Sequence, residues 1–202
     1  QSTSGSVGLP ATNLRDVLRN RTTIAATSDD RIVTAWTTIH PGGRSSIYHQ
    51  HYEATGFPLG DNILLTGSIF EGAQSWPSLA ALPDERYVLV WKDSGTDSKG
   101  DILGRIFLSD GSVDSDTIRV VDRRHVGATQ EKPSVAATGS GEIIVTWLDD
   151  RKGNFDVYAQ RLGATGVKID SNTLISGDED NPIPQSNPYV VAAPDRYVIV
   201  CD

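Results

Sequence analysis

The sequence contains almost no cysteine and no methionine. Cys201 is the single cysteine of the 202 residues, so an internal disulfide framework is excluded. Since the chain has no methionine and begins at Gln1, we expect a processed mature chain or an excised domain rather than a primary translation product.

Clustered positive charge and long apolar runs are also missing. The chain has 18 Lys and Arg against 26 Asp and Glu, which gives a formal net charge of −8. Nucleic-acid binding requires clustered basic residues, so this composition argues against a nucleic-acid partner. No apolar run approaches the length of a membrane-spanning helix, and we therefore expect no membrane insertion.

Sequence motifs of common catalytic sites are absent as well. The chain has no Gly-x-Ser-x-Gly elbow and no glycine-rich phosphate-binding loop. The segment 28–36 is similar to the Ser-x-Asp-x-Gly-x-Thr-Trp box of sialidase propellers, but it lacks the glycine and is one residue too long. Two carboxylates for glycoside hydrolysis could still meet across distant parts of the chain.

The chain does contain a repeat of about 55 residues. Three tryptophans, Trp36, Trp91 and Trp147, follow each other at intervals of 55 and 56 residues. Other equivalent positions keep the same interval: Ile47, Ile102 and Val157; Gly56, Gly111 and Gly166; Pro77, Pro133 and Pro188. A fixed period of this size is typical of a repeat architecture.

Each repeat predicts four short strands joined by tight turns, which is the pattern of one blade of a β-propeller. The first strands carry paired alanines, as at 25–26, 80–81, 136–137 and 192–193, and small side chains suit the crowded centre of a propeller. The second strands, such as 87–91, are apolar on both faces, as expected of strands covered on both sides. We predict an all-β propeller fold, with a β-sandwich or β-solenoid repeat array as the alternative.

The repeats are predicted over residues 22–76, 77–132 and 133–187, with a partial fourth over 188–202. The length therefore favours about four blades. We expect the N-terminal segment 1–21 to complete the last blade, which the chain termini would then share, because an open sheet edge invites pairing. The same closure by the next subunit would produce self-assembly through the termini.

One segment carries a resemblance to a known repeat. Residues 147–166 contain Trp-Leu-Asp-Asp-Arg, then Asp-Val-Tyr-Ala-Gln-Arg and a closing glycine. This resembles a repeat, of the type Trp-x-Asp-x-Arg then Asp-Val-Tyr-Ala-Gln-Arg, that is common in large secreted and surface-attached microbial proteins. The resemblance implies a β-propeller, an extracellular or cell-surface location and a role in adhesion.

Aromatic residues divide into core and ligand candidates. The three tryptophans of the repeat end apolar strands at one repeated position, so we predict that they pack between blades. Trp76 stands outside that register, in a predicted loop, and is the first candidate for ligand contact. Tyr189 and Phe70 are further candidates.

Acidic hairpins and a histidine pair are the candidate metal sites. Six aspartates lie around turns, and calcium prefers six to eight oxygen ligands: Asp93, Asp97, Asp101, Asp149, Asp150 and Asp156. Aspartates also favour turns by bonding their own backbone, so we expect no cofactor, with calcium as the alternative. His49 and His51 share one face of a strand, but zinc needs further ligands, and a half-exposed polar strand is the simpler interpretation.

These observations together predict a non-enzymatic extracellular module for binding, adhesion or assembly, with a glycan or an extracellular protein as its partner. The alternatives are a structural subunit of an extracellular fibre and a glycan-processing propeller enzyme. The sequon Asn20-Arg21-Thr22 predicts glycosylation at Asn20.

Overall fold

The computed structural model describes residues 18–65, 72–95, 99–122, 127–176 and 184–202. All regular structure in these ranges is β-strand, arranged as three four-stranded antiparallel sheets and one two-stranded sheet. The same ranges contain no helix that could cross a membrane.

The strands follow one another in simple chain order within each sheet. Blade 1 consists of β1 (Leu18–Ala26), β2 (Ile32–Ile39), β3 (Ser45–Tyr52) and β4 (Pro58–Leu64). Blade 2 consists of β5 (Gln74–Ala81), β6 (Tyr87–Asp93), β7 (Asp101–Phe107) and β8 (Ile118–Arg119). Blade 3 consists of β9 (Gln130–Ala137), β10 (Ile143–Asp149), β11 (Asp156–Leu162) and β12 (Lys168–Ser176). Blade 4 is formed by β13 (Tyr189–Ala193) and β14 (Arg196–Val200).

The first strands of successive blades contact one another, so they form the inner wall of a β-propeller and confirm the predicted fold. The paired alanines lie on these strands, as expected. Each of the first three blades begins earlier than predicted, and residues 18–21 belong to β1 of blade 1. They are therefore part of an innermost strand and do not complete the last blade, while residues 1–17 lie outside the described residues.

A side-chain hydroxyl links each innermost strand to the next. Thr23 Oγ1, Ser78 Oγ and Ser134 Oγ occupy equivalent positions on β1, β5 and β9. Each accepts a hydrogen bond from a backbone N–H of the following blade, over 3.2–3.3 Å, the donors being Leu79, Val135 and Val190. The innermost strand is a sheet edge with unpaired polar groups, and these bonds satisfy one such group at each junction.

The apolar core lies between the blades. Trp91 is fully buried among residues of blades 1 and 2, and Trp147 is fully buried among residues of blades 2 and 3. Trp36 is also buried. The prediction that the repeated tryptophans pack between blades is confirmed for Trp91 and Trp147.

The glutamine of the resembling repeat has a structural role. In blade 3, Gln160 Nε2 donates to the carbonyl oxygens of Ile169 and Asp170, at 3.0 and 3.2 Å. In blade 1, Gln50 Nε2 donates to the carbonyls of Leu59 and Gly60 over the same distances. The register of the outer strand breaks beside each glutamine, so the amide satisfies carbonyls that the ladder leaves unpaired.

The two histidines of β3 are buried, which corrects the expectation of a half-exposed strand. His49 and His51 share one face, and blade 2 covers that face. The Tyr87 hydroxyl lies between them, 2.9 Å from His49 Nδ1 and 3.0 Å from His51 Nε2. Burial lowers the pKa of His49 to about 3, with a further contribution from His51. Burial also lowers the pKa of His51 and raises that of Tyr87.

Replacing Trp91 or Trp147 with alanine should lower the free energy of unfolding by roughly 3–5 kcal/mol, because each substitution removes burial and leaves a cavity. Urea unfolding of both variants measures this loss. The exposed Phe57, 69% accessible, provides a matched aromatic-to-alanine control that should change stability little. A loss below about 1 kcal/mol in either tryptophan variant would contradict the assignment to the core.

Stability should fall as the pH drops below about 6.5, because the native state holds His49 neutral while the unfolded chain takes up the proton. The pKa of His49 is lower in the folded chain, so this contribution is complete above the unfolded value. It is lost progressively as the pH falls towards about 3, at up to roughly 1.4 kcal/mol per pH unit.

His49→Phe should therefore flatten the pH dependence of urea unfolding between pH 7 and pH 4 (approximate limits set by the two pKa values). His40→Gln, outside the buried cluster, is the control and should leave the slope unchanged. An unaltered slope in His49→Phe would show that this histidine does not titrate on unfolding.

Candidate functional site

A cavity of about 380 Å³, which we call the axial cavity, lies at the N-terminal ends of the four innermost strands. The same three repeat positions of every blade line it, namely residues 21–23, 76–78, 132–134 and 187–189. Its volume lies within the range of about 300–1,000 Å³ that is usual for small-molecule sites.

A repeated backbone kink shapes this cavity. The first lining residue of each blade has a positive φ, at 53° for Arg21, 56° for Trp76, 52° for Lys132 and 46° for Asn187. The register of the three complete innermost strands breaks at the same point, as a β-bulge does. Left-handed backbone costs roughly 1–2 kcal/mol in a residue other than glycine. The chain nevertheless has no glycine at any of these positions.

An indole ring and two cations meet in the axial cavity. The Arg21 guanidinium carbon lies 2.9 Å from the centroid of the Trp76 ring, and Lys132 Nζ lies 5.7 Å from it. Lys132 Nζ also donates a hydrogen bond to Asn187 Oδ1 over 3.3 Å. Partial burial lowers the pKa of Arg21, and the negative charge of Glu131 opposes that shift.

Two of the three predicted ligand residues come together here. Trp76 and Tyr189 both line the axial cavity, whereas Phe70 lies outside the described residues. Trp76 lies within β5, at the bulge, and not in the predicted loop. Ligand binding by these two residues stays a prediction.

Sequence reasoning missed Arg21, Lys132 and Asn187. The signal was present, because they stand 55–56 residues apart at the repeat position that Trp76 occupies. The repeats were aligned on positions that keep the same type of residue, and this position holds a different residue in each repeat.

The acidic hairpin of blade 3 is held by protein donors. The Asp149 carboxylate is fully buried, and its Oδ2 accepts hydrogen bonds from Trp147 Nε1 at 3.0 Å and from the Arg151 guanidinium at 2.5 Å. Its Oδ1 accepts the Arg151 backbone N–H at 3.0 Å. The aspartate therefore fixes both the core tryptophan and the turn.

The other candidate metal ligands have similar roles. Asp93 Oδ1 accepts the Gly95 N–H at 2.8 Å, and Asp150 Oδ1 accepts the Thr129 N–H at 2.6 Å. Asp101 pairs with Arg119, and burial raises the pKa of Asp156. Asp97 lies outside the described residues. No group of acidic, histidine or cysteine side chains in the described ranges could hold a metal ion, and calcium binding stays a prediction.

Asn20, the predicted glycosylation site, lies on β1 directly before Arg21, and its side chain is exposed. Exposure is compatible with glycosylation, which stays a prediction.

Comparison with known proteins finds similarity in structure and not in sequence. No protein-family model matches this chain, and no curated protein sequence matches it. The GH93 α-L-arabinofuranosidase of Fusarium graminearum, solved with arabinobiose, has a TM-score of 0.62 and 15% identity, over 86% of this chain and 55% of its own. The endo-arabinase of Bacteroides thetaiotaomicron has a TM-score of 0.54 and 12% identity, over 88% and 68%. A family 117 glycoside hydrolase of Zobellia galactanivorans has a TM-score of 0.58 and 9% identity, over 82% and 58%.

This chain thus spans between about half and two thirds of the length of these solved structures. At such identities the likeness carries over the fold, and it supports the β-propeller. The expectation of a non-enzymatic module for binding, adhesion or assembly is corrected, because the solved structures named above, which share the fold, are glycoside hydrolases. The absence of local catalytic motifs does not exclude a glycosidase, because the two carboxylates of such an enzyme can come from distant strands and leave no local pattern.

Proposed function

We propose that this chain forms a sugar-binding part of a glycan-processing β-propeller, with the axial cavity as the substrate site. The observation that carries the proposal is the indole ring of Trp76, held by a strained backbone in a cavity where all four blades converge. On the side that the Arg21 guanidinium does not cover, the ring offers a flat apolar surface for the C–H face of a sugar.

Polar groups beside the ring suit the hydroxyls of a glycan. Thr23, Ser78 and Ser134 each accept a backbone N–H from the next blade, which leaves the hydroxyl hydrogen to donate to a sugar oxygen. The Asn187 amide and the Tyr189 side chain add further polar groups on the fourth blade. An apolar surface with a few placed polar groups is the usual composition of a small-molecule site.

The backbone strain supports a functional role for the lining residues. Glycine would adopt the kinked conformation without the steric cost that Arg21, Trp76 and Lys132 incur. Strain of this kind persists at ligand sites, where the side chain is needed for function.

Hydrolysis requires two carboxyl groups on opposite sides of the glycosidic bond. The residues that line the axial cavity include no Asp or Glu. Glu131 precedes Lys132, lies 3.7 Å from Lys92 Nζ and acts electrostatically on Arg21. Glu131 is not among the residues that line the axial cavity, so we assign no acid–base group, and a hydrolytic reaction would need two carboxylates from outside this lining. An extracellular location and self-assembly through the termini stay predictions.

Trp76→Ala should weaken glycan binding about tenfold, because loss of roughly 50 Å² of apolar contact costs about 1.3 kcal/mol. Calorimetric titration with arabino-oligosaccharides and with oligosaccharides of other sugars measures this. Trp76→Phe should retain most of the affinity, and the exposed Phe57→Ala should retain all of it. If Trp76→Ala binds every glycan as the unchanged chain does, the axial cavity is not the sugar site.

The strain at the bulge predicts an unusual order of stability. Lys132→Gly should be more stable than Lys132→Ala by about 1 kcal/mol, since only glycine adopts the left-handed backbone freely. Lys92 lies in β6 and has no positive φ, so Lys92→Gly should be less stable than Lys92→Ala. Urea unfolding of the four variants tests this, and the same order in both pairs would contradict strain at the bulge.

A further inference from the structure

We infer that the axial cavity recognises an anionic sugar residue, with Arg21 and Lys132 binding the carboxylate of a uronic acid. This inference rests on the proposed sugar site and specifies the chemistry of its ligand. The first observation is the charge of the cavity lining. The lining contains two cationic residues and no acidic residue, although the net charge of the chain is −8.

Both cations lie beside the same ring. Arg21 and Lys132 come from blades 1 and 3, on either side of blade 2, which supplies Trp76. Their charged groups are 2.9 and 5.7 Å from the indole centroid, so a sugar ring at Trp76 would place an attached carboxylate near both.

The donors of Arg21 are available in this arrangement. The guanidinium carbon lies over the indole ring, and its five N–H groups form a planar fork. In the described part of the chain, Arg21 forms no ion pair with a carboxylate, and Glu131 acts on it electrostatically. A planar fork of this kind matches the two oxygens of a carboxylate.

Lys132 is also paired with a neutral group and not with an acid. Its Nζ donates to Asn187 Oδ1, which orients the ammonium without cancelling its charge. An ammonium has three donors, so two remain for a ligand. The cavity thus presents two oriented positive charges that no acidic residue of its lining neutralises.

A matched set of ligands tests the inference by calorimetric titration of the whole chain. The probes are trigalacturonate, the same trisaccharide after reduction of its carboxyl groups, and that neutral trisaccharide after sulfation. Trigalacturonate should bind at least about tenfold more tightly than the neutral trisaccharide, and added salt should reduce the difference.

Two variants connect this preference to the cavity. Arg21→Gln and Lys132→Gln should each lose most of the preference for trigalacturonate, so that the ratio of its affinity to that of the neutral trisaccharide falls towards one. Arg44→Gln, an exposed arginine outside the cavity lining, should behave as the unchanged chain does. Thermal unfolding of the variants verifies that each one is folded.

The remaining outcomes separate this inference from the proposed function. If the neutral trisaccharide binds as tightly as the uronate and binding still depends on Trp76, the sugar site stands and the anionic specificity is overturned. If only the sulfated probe shows a preference, the carboxylate assignment is overturned. If no probe binds, or binding is independent of Trp76, both the sugar site and its specificity are overturned.

Discussion

The propeller depends on hydrogen bonds between blades that no sheet ladder provides. Blades 1 to 3 are each a complete four-stranded sheet, and the innermost strand of each presents a free edge to the next blade. The hydroxyls of Thr23, Ser78 and Ser134 bridge these edges, one at each junction, two residues after the residue whose backbone is kinked. Because a bulged strand leaves its extra residue unpaired, the bond beside it keeps the neighbouring blades in register and holds the axial cavity open.

Much of the fold could be predicted from the repeat period, because the residues that determine each blade lie within one repeat. Tryptophans 55–56 residues apart mark the same buried position of successive blades, and paired alanines mark the crowded inner strands. Contacts between blades were not predictable in this way. His49 and His51 look like part of a polar surface strand, yet Tyr87 of the next blade buries both of them. A single strand contains no information about which neighbour covers it.

The candidate site was predictable only in part for a related reason. Trp76 drew attention because it broke the register of the core tryptophans, and Tyr189 was named as a further aromatic candidate. Arg21 and Lys132 share the position of Trp76 but differ from it in chemistry, so a search for similar residues passed over them. In a repeat protein, the residues that determine the fold are alike in every repeat, whereas the residues that determine function differ between repeats.

The kink at residues 21, 76, 132 and 187 makes the backbone conformation of the cavity wall independent of the side chains that line the cavity. The extra residue of a bulge makes no ladder bond, so its side chain contributes to the cavity wall and little to the strand. The backbone at these four positions therefore stays the same whichever residue is present. Any side chain that tolerates the left-handed conformation can occupy them. Recognition could diversify among propellers of this architecture by exchange of four residues, with no change in strand length, register or closure.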